Sequence, residues 1–148
     1  MSEQLYNTRI LRLAASIPHE RRLDAAQASV RKVSPICGSR VTIDLDMDAD
    51  GRVARIGQEV RACALGQASA AILGRGVIGC DIAALRAARD GLRAFLSGAA
   101  GAPPAGWDDF DIFAPARAHK ARHASILLAW DAAAEAAAEA TAAETGAI

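Results

Sequence analysis

Aromatic residues make up only 4% of the 148 positions, and neither sign of charge is in surplus. Seventeen Lys+Arg balance seventeen Asp+Glu, giving a formal net charge of +0. That balance excludes a general nucleic-acid binder, which needs excess positive charge to displace counterions from phosphates. It equally excludes an acidic disordered tail as the dominant feature. No run approaches the roughly 18 uninterrupted apolar residues of a membrane span, so no membrane partner is expected. Met1-Ser2-Glu3-Gln4-Leu5 lacks a basic stretch followed by an apolar one, and no signal peptide is expected. Cysteine is scarce: three residues, an odd number, with no CxxC pair. Disulfide stapling is therefore not expected, and free thiols point to a reducing, cytoplasmic setting.

What is abundant is alanine. Thirty-seven residues are Ala, so the 52% hydrophobic content overstates the supply of large core-formers. Fifteen of the seventeen basic residues are Arg, leaving Lys32 and Lys120. The length and the 15.3 kDa mass fit one domain over residues 1–148 with a core of useful size.

Tyr6, Ile10, Leu13 and Ile17 follow one another at steps of four, three and four, which predicts a helical face over residues 3–17, stopped by Pro18. A short strand is expected over 27–34. Val41, Ile43, Leu45 and Met47 then alternate with Thr42, Asp44, Asp46 and Asp48, the pattern of a strand with one buried and one wet face. Asp50-Gly51 signals a reversal, and residues 52–60 return as a third strand. From residue 64 the period becomes helical, with helices expected over 64–78 and 81–97. GAAGAPPAG at 98–106 reads as a connector inside the domain. Residues 107–113 read as irregular packing, and Pro115 opens a last helix containing Ile126, Leu127 and Trp130. The Ala-rich tail is helix-prone with little to bury, and fraying is expected over 136–148.

GRGVIG at residues 74–79 matches the glycine pattern of dinucleotide-binding turns. Such a turn needs a strand before the glycines, whereas a helix precedes them here, so they read as a helix end and link. Cys37 lies in Ser34-Pro35-Ile36-Cys37-Gly38-Ser39, a tight loop able to present a thiol. Cys63 lies where strand gives way to helix, and unpaired N–H groups at a helix start favour the thiolate. Each is either a ligand or nucleophile, or a small buried hydrophobe. About 15 helical residues separate Cys80 from Cys63 by some 20 Å, too far for a shared site. His119 and His123, spaced i, i+4, share a face if that stretch is helical; with two thiolates they suit zinc, and otherwise they belong to a solvated basic helix start. No nucleophile–base–orienter set is apparent, so the chain reads as a non-enzyme.

Taken together these segments resemble the U-type iron–sulfur cluster scaffold family (IscU, SufU and the N-terminal domain of NifU). Ser34-Pro35-Ile36-Cys37-Gly38-Ser39 is similar to that family's N-P-x-C-G-D loop. Cys63-Ala64-Leu65-Gly66-Gln67-Ala68-Ser69-Ala70 is similar to its G-C-x-x-x-x-A-S-x-S helix start, and Arg122-His123-Ala124-Ser125-Ile126-Leu127 to its H-C-S-I-L segment. The resemblance runs from about residue 3 to 135. It implies an α+β domain, a three-stranded antiparallel sheet with helices packed on one face. It implies a metal or cluster site at Cys37 and Cys63, with His123 as a further ligand. Ser39 stands at the family's aspartate position and Ala124 at its third cysteine. The implied cargo is a labile iron–sulfur cluster, [2Fe–2S] by type, or iron or transferred sulfur, and the implied partners are a cysteine desulfurase and other assembly proteins. Two other readings remain open: an adaptor on the same fold without its own cluster, and a zinc module.

Overall fold

The computed structural model describes residues 6–36 and 38–146. The element order is α1 (Thr8–Ala14), β1 (Ala28–Val33), β2 (Arg40–Met47), β3 (Val53–Arg61), α2 (Ala64–Gly76), α3 (Ile82–Ser97), two 3-10 segments (Asp108–Ala118 and Lys120–Arg122) and α4 (His123–Gly146). The sheet has the order β1-β2-β3 with both pairings antiparallel, Val30 opposite Ile43 and Leu45 opposite Ile56. α4 packs across β1 and β2 and is flanked by α2 and α3. The α+β expectation holds.

α1 is shorter than the apolar spacing suggests. The Asn7 side chain accepts from the Ile10 backbone N–H at 3.0 Å, which caps the helix there and leaves Tyr6 outside it. Ile10 is fully buried, whereas Tyr6 is exposed. Residues 3–5 lie outside the described residues.

The polar face of β2 is not wet. Asp44 is 1% exposed, covered by the chain between α1 and β1. Arg22 grips it with Nε to Oδ2 at 2.7 Å and an Nη to Oδ1 at 3.1 Å; the Leu23 N–H and the Ser29 hydroxyl add bonds at 2.9 and 2.6 Å. Periodicity reads only the alternation of side chains, and the cover is supplied by a segment without periodicity. The β2–β3 reversal forms as expected, with Gly51 at φ +76° and Asp48 Oδ1 accepting from the N–H groups of Asp50 and Arg52.

Residues 108–118 are regular where irregular structure was expected, and Pro115 lies inside this 3-10 segment rather than opening the last helix. Phe110, Phe113 and Ala116, spaced by three, are buried, which is the period of a 3-10 helix. α4 starts at His123. Its alanines have more to bury than their composition implies: Ala132, Ala133, Ala136, Ala137 and Ala140 are fully buried. Small side chains let this helix approach the sheet and its neighbouring helices closely. Residues 147 and 148 lie outside the described residues.

Candidate functional site

Three chain segments converge at one end of the sheet: the β1–β2 loop, the start of α2 and the start of α4. The loop is closed by the Ser34 N–H on the Ser39 carbonyl at 2.8 Å and the Gly38 N–H on the Ser34 carbonyl at 3.0 Å. Gly38 at φ +74° permits that closure without a Cβ penalty. Cys37, between these anchors, lies outside the described residues.

Cys63 is the N-cap of α2, half-buried, with its carbonyl accepting from the Gln67 N–H at 2.9 Å. Its side chain makes no capping bond. The sulfur instead lies 3.3 Å from Ser125 Oγ, and Ser125 Oγ lies 3.2 Å from Ser39 Oγ. Ser39 and Ser125 are both buried. One hydroxyl on α4 thus joins the loop of the first thiol to the helix of the second. Ser125 had no part in the sequence-based ligand set, because its hydroxyl is no natural soft-metal donor and only the folded chain puts it between Ser39 and Cys63. Its place inside the quoted H-C-S-I-L-like segment was the available signal.

The α2–α4 contact beneath the site is held by polar bonds within an apolar layer. Ser69 Oγ donates to the Ile126 carbonyl at 2.6 Å and accepts from Trp130 Nε1 at 3.1 Å. The Trp130 ring meets Trp107 and Phe110 edge-on, with centroids 4.8 and 5.1 Å apart. Gly66 is needed for close approach: a Cβ there would stand 2.7 Å from Ser125 Oγ and 2.8 Å from Ala62 Cβ.

His123 is half-buried, with Nε2 2.8 Å from the Ala116 carbonyl. A carbonyl only accepts, so Nε2 donates there, and Nδ1 is the ring nitrogen left over that could offer a lone pair to a metal. His119 does not share a helix with it. A 3-10 turn at Lys120–Arg122 intervenes, so the condition for a shared i, i+4 helical face is not met. Ala124 lines an open groove together with Ser34 and Pro35, at the mouth of the Cys37 loop. Consecutive residues of α4 therefore serve different sides, Ala124 the groove and Ser125 the buried hydroxyl pair.

Cys80 lies away from this cluster. Its carbonyl accepts from the Val53 N–H at 2.8 Å, and Arg52 bridges to Asp81, which places it at the opposite end of β3. Burial, reinforced by the Asp81 charge and opposed by Arg52, pushes its thiol pKa up and disfavours the thiolate. Of the GRGVIG glycines, Gly74 and Gly76 lie in the last turn of α2 and Gly79 lies in the link to α3, so no strand feeds them. Gly76 lies against the Trp107 ring, where a Cβ would come within 2.8 Å, so this glycine serves packing. Among the described residues, no three of His, Cys, Asp and Glu gather closely enough to hold a metal ion. Among the described residues, too, no helix is long and apolar enough to cross a membrane.

The antiparallel three-stranded sheet with helices against it defines a small α+β domain, with a thiol at the start of α2 and a histidine at the start of α4. The chain matches no family model and no curated protein by sequence. Among solved structures it is similar to the N-terminal part of a nitrogen-fixing NifU-like protein from Brucella abortus, with 41% identity over 94% of this chain and 96% of that one, TM-score 0.89. It shares its fold with a Fervidobacterium islandicum AW-1 structure described as an iron–sulfur cluster assembly scaffold for the SUF system, with 18% identity over 93% and 99% of the chains, TM-score 0.80. The chain belongs to the NifU-like family of U-type iron–sulfur scaffolds.

Proposed function

We propose that this protein works in iron–sulfur cluster assembly as a scaffold-like carrier, taking a labile cluster, iron or transferred sulfur as cargo at Cys37 and Cys63, with His123 Nδ1 as a third donor. The observation that carries this reading is the position of the Cys63 sulfur, half-exposed at the start of α2 and hydrogen-bonded to the α4 start beside the closed 34–39 loop. A two-iron cluster needs four strong donors, two per iron, and this set supplies three. Water or a partner's sulfur completes the shell, so the cargo is held weakly and passed on readily. Family membership supports a cysteine desulfurase and other assembly proteins as partners, in the cytoplasm.

A second reading is an adaptor that keeps the family's surface but holds no cluster. Two observations favour it: Ser39 Oγ is buried against Ser125, and Ala124 offers only a methyl group at the groove mouth. Anaerobic reconstitution of the full chain with iron and sulfide separates the two. The scaffold reading expects visible absorbance with bound iron and sulfide, abolished in Cys63→Ser, reduced in His123→Ala and unchanged in His119→Ala and Cys80→Ser. Absence of iron and sulfide after reconstitution establishes the adaptor instead. One equivalent of zinc in the purified chain, lost in His123→Ala, would identify a zinc module.

A further inference from the structure

One stripe of α4, at Ala124, Leu127, Leu128, Asp131, Ala134 and Ala138, floors an open groove of ≈ 790 Å³. The steps of three and four put these residues on a single helix face. The near wall is the end of β1 and the turn after it, Lys32–Pro35; the far wall is Arg86, Arg89 and Arg93 on α3, again on one face. An apolar floor between charged walls, open along its length, suits a chain segment better than a small molecule, whose sites are enclosed.

The charges are unequal. Four cations and two carboxylates line the groove, and both carboxylates are already matched: Lys32 Nζ lies 2.9 Å from Glu135, and an Arg93 Nη lies 3.1 Å from Asp131. Arg86 and Arg89 are left as the surplus. Arg89 does reach Asp90, but that carboxylate stands outside the groove with its side chain 62% exposed, and an exposed pair of this kind is worth little. The groove also runs past the end of an edge strand, since β1 pairs with β2 alone in the sheet order. At that end Val33 and Ile36 are 55% and 68% exposed, large apolar side chains left facing outward. Edge strands with such surroundings accept an added extended segment.

We propose that this groove docks a short acidic segment of a partner protein, its carboxylates on Arg86 and Arg89 and an apolar side chain on Leu127 and Leu128. A nucleic-acid occupant fits poorly, because two carboxylates of α4, Asp131 and Glu135, line the groove and the rest of its floor is apolar. One end of the groove, at Ser34, Pro35 and Ala124, borders the thiol loop, so a docked segment sits beside the candidate site. The inference stands on the groove alone and does not require that Cys63 hold cargo.

The test is to pan a random decapeptide display library on the full chain and to measure the enriched peptides by fluorescence anisotropy. The expected result is enrichment of sequences mixing Asp or Glu with Leu, Ile or Val. Binding should weaken at least tenfold in the Arg86→Glu/Arg89→Glu double variant and stay unchanged in Arg12→Glu and in Cys63→Ser. Amide shift changes on titration should map to α3, α4 and the β1 end. Failure to enrich any peptide, enrichment of basic or purely apolar peptides, or indifference to the double variant overturns the proposal. So does concentration-dependent dimerisation abolished by the same variant, which would make a second copy the occupant. Loss of peptide binding with intact cluster retention, or the reverse, tells the failure of this inference from that of the carrier reading.

Discussion

Ser125 Oγ lies 3.3 Å from Cys63 Sγ, although the two residues are 62 positions apart in the chain. That contact depends on a gap beneath it, because Gly66 supplies no side chain where a Cβ would stand 2.7 Å from the same hydroxyl. Hydroxyl, thiol and glycine therefore form one packing unit, and a change in one is felt by the others.

Gly66→Ala tests this unit directly. Inside a helix the replacement ought to stabilise, by up to about 1 kcal/mol, through helix propensity alone. Here the new methyl meets Ser125 Oγ and Ala62 Cβ, and overpacking of that kind costs about 1–3 kcal/mol. Net destabilisation is expected, read as a lower urea midpoint at unchanged slope. Ser125→Ala alone should cost about 1–2 kcal/mol, since it removes the hydroxyl that contacts both Ser39 and Cys63. The double variant should lose less than the sum of the two, because removing the hydroxyl relieves part of the clash. Strict additivity would mean that the two residues do not share this contact.

Periodicity made the sheet and the two middle helices legible, because the large apolar residues of β2 alternate and those of α3 recur at helical spacing. It was silent wherever burial is decided by another segment. Nothing in the alternation of β2 announces that Arg22 covers Asp44, and alanine composition hid that Ala132, Ala133 and Ala136 are core. The candidate site was legible in part: the resemblance pointed to the loop at 34–39, to Cys63 and to His123. The hydroxyl between Ser39 and Cys63 was not, since convergence of three distant segments is a property of the packed chain. The i, i+4 histidine spacing left two readings open, because it implies a shared face only if one helix spans both residues, and α4 begins at His123.

Asp44 makes stability depend on pH in the acid range. Burial by itself raises its pKa, but the Arg22 hydrogen bonds, the Ser29 hydroxyl, the Leu23 N–H and the Arg22 charge outweigh burial and hold it below the ordinary carboxylate value. A depressed folded-state pKa contributes stability that is fully present above the unfolded value of about 3.9 and is lost as pH falls through the folded one. Thermal midpoints should therefore fall steeply below about pH 4 in the natural chain and less steeply in Asp44→Asn. Arg22→Met should lower the thermal midpoint at neutral pH by stripping charged hydrogen bonds from a buried carboxylate. An Asp44→Asn profile that superimposes on that of the natural chain would refute this account.

The two altered ligand positions invite restoration. Ser39→Asp places a carboxylate where the hydroxyl faces Ser125, and Ala124→Cys adds a thiol at the groove mouth beside Ser34 and Pro35. The double variant should retain iron and sulfide several-fold longer than the natural chain after anaerobic reconstitution, measured as the decay of visible absorbance on a desalting column. A modest loss of stability should accompany the gain, because Ser39 is 4% exposed and a buried charge without metal is costly. Equal retention would argue that residues 39 and 124 do not face the same cargo.

The alanines of α4 bear on how this chain builds a core from small side chains. Ala133 is fully buried in the same cluster as Ile43, Leu73 and Trp130, so the helix is held close by what its side chains lack. Filling the space with Ala133→Leu should not add hydrophobic stabilisation. Three more heavy atoms in a packed layer force neighbours off their rotamers, at about 1–3 kcal/mol. Ala87→Leu on the exposed side of α3 is the matched control and should fall within about 0.5 kcal/mol of the natural chain. The pair separates packing from propensity, since both sites are helical and receive the same side chain. Should Ala133→Leu prove as stable as the control in urea, α4 would have room to spare and its alanines would reflect composition rather than fit.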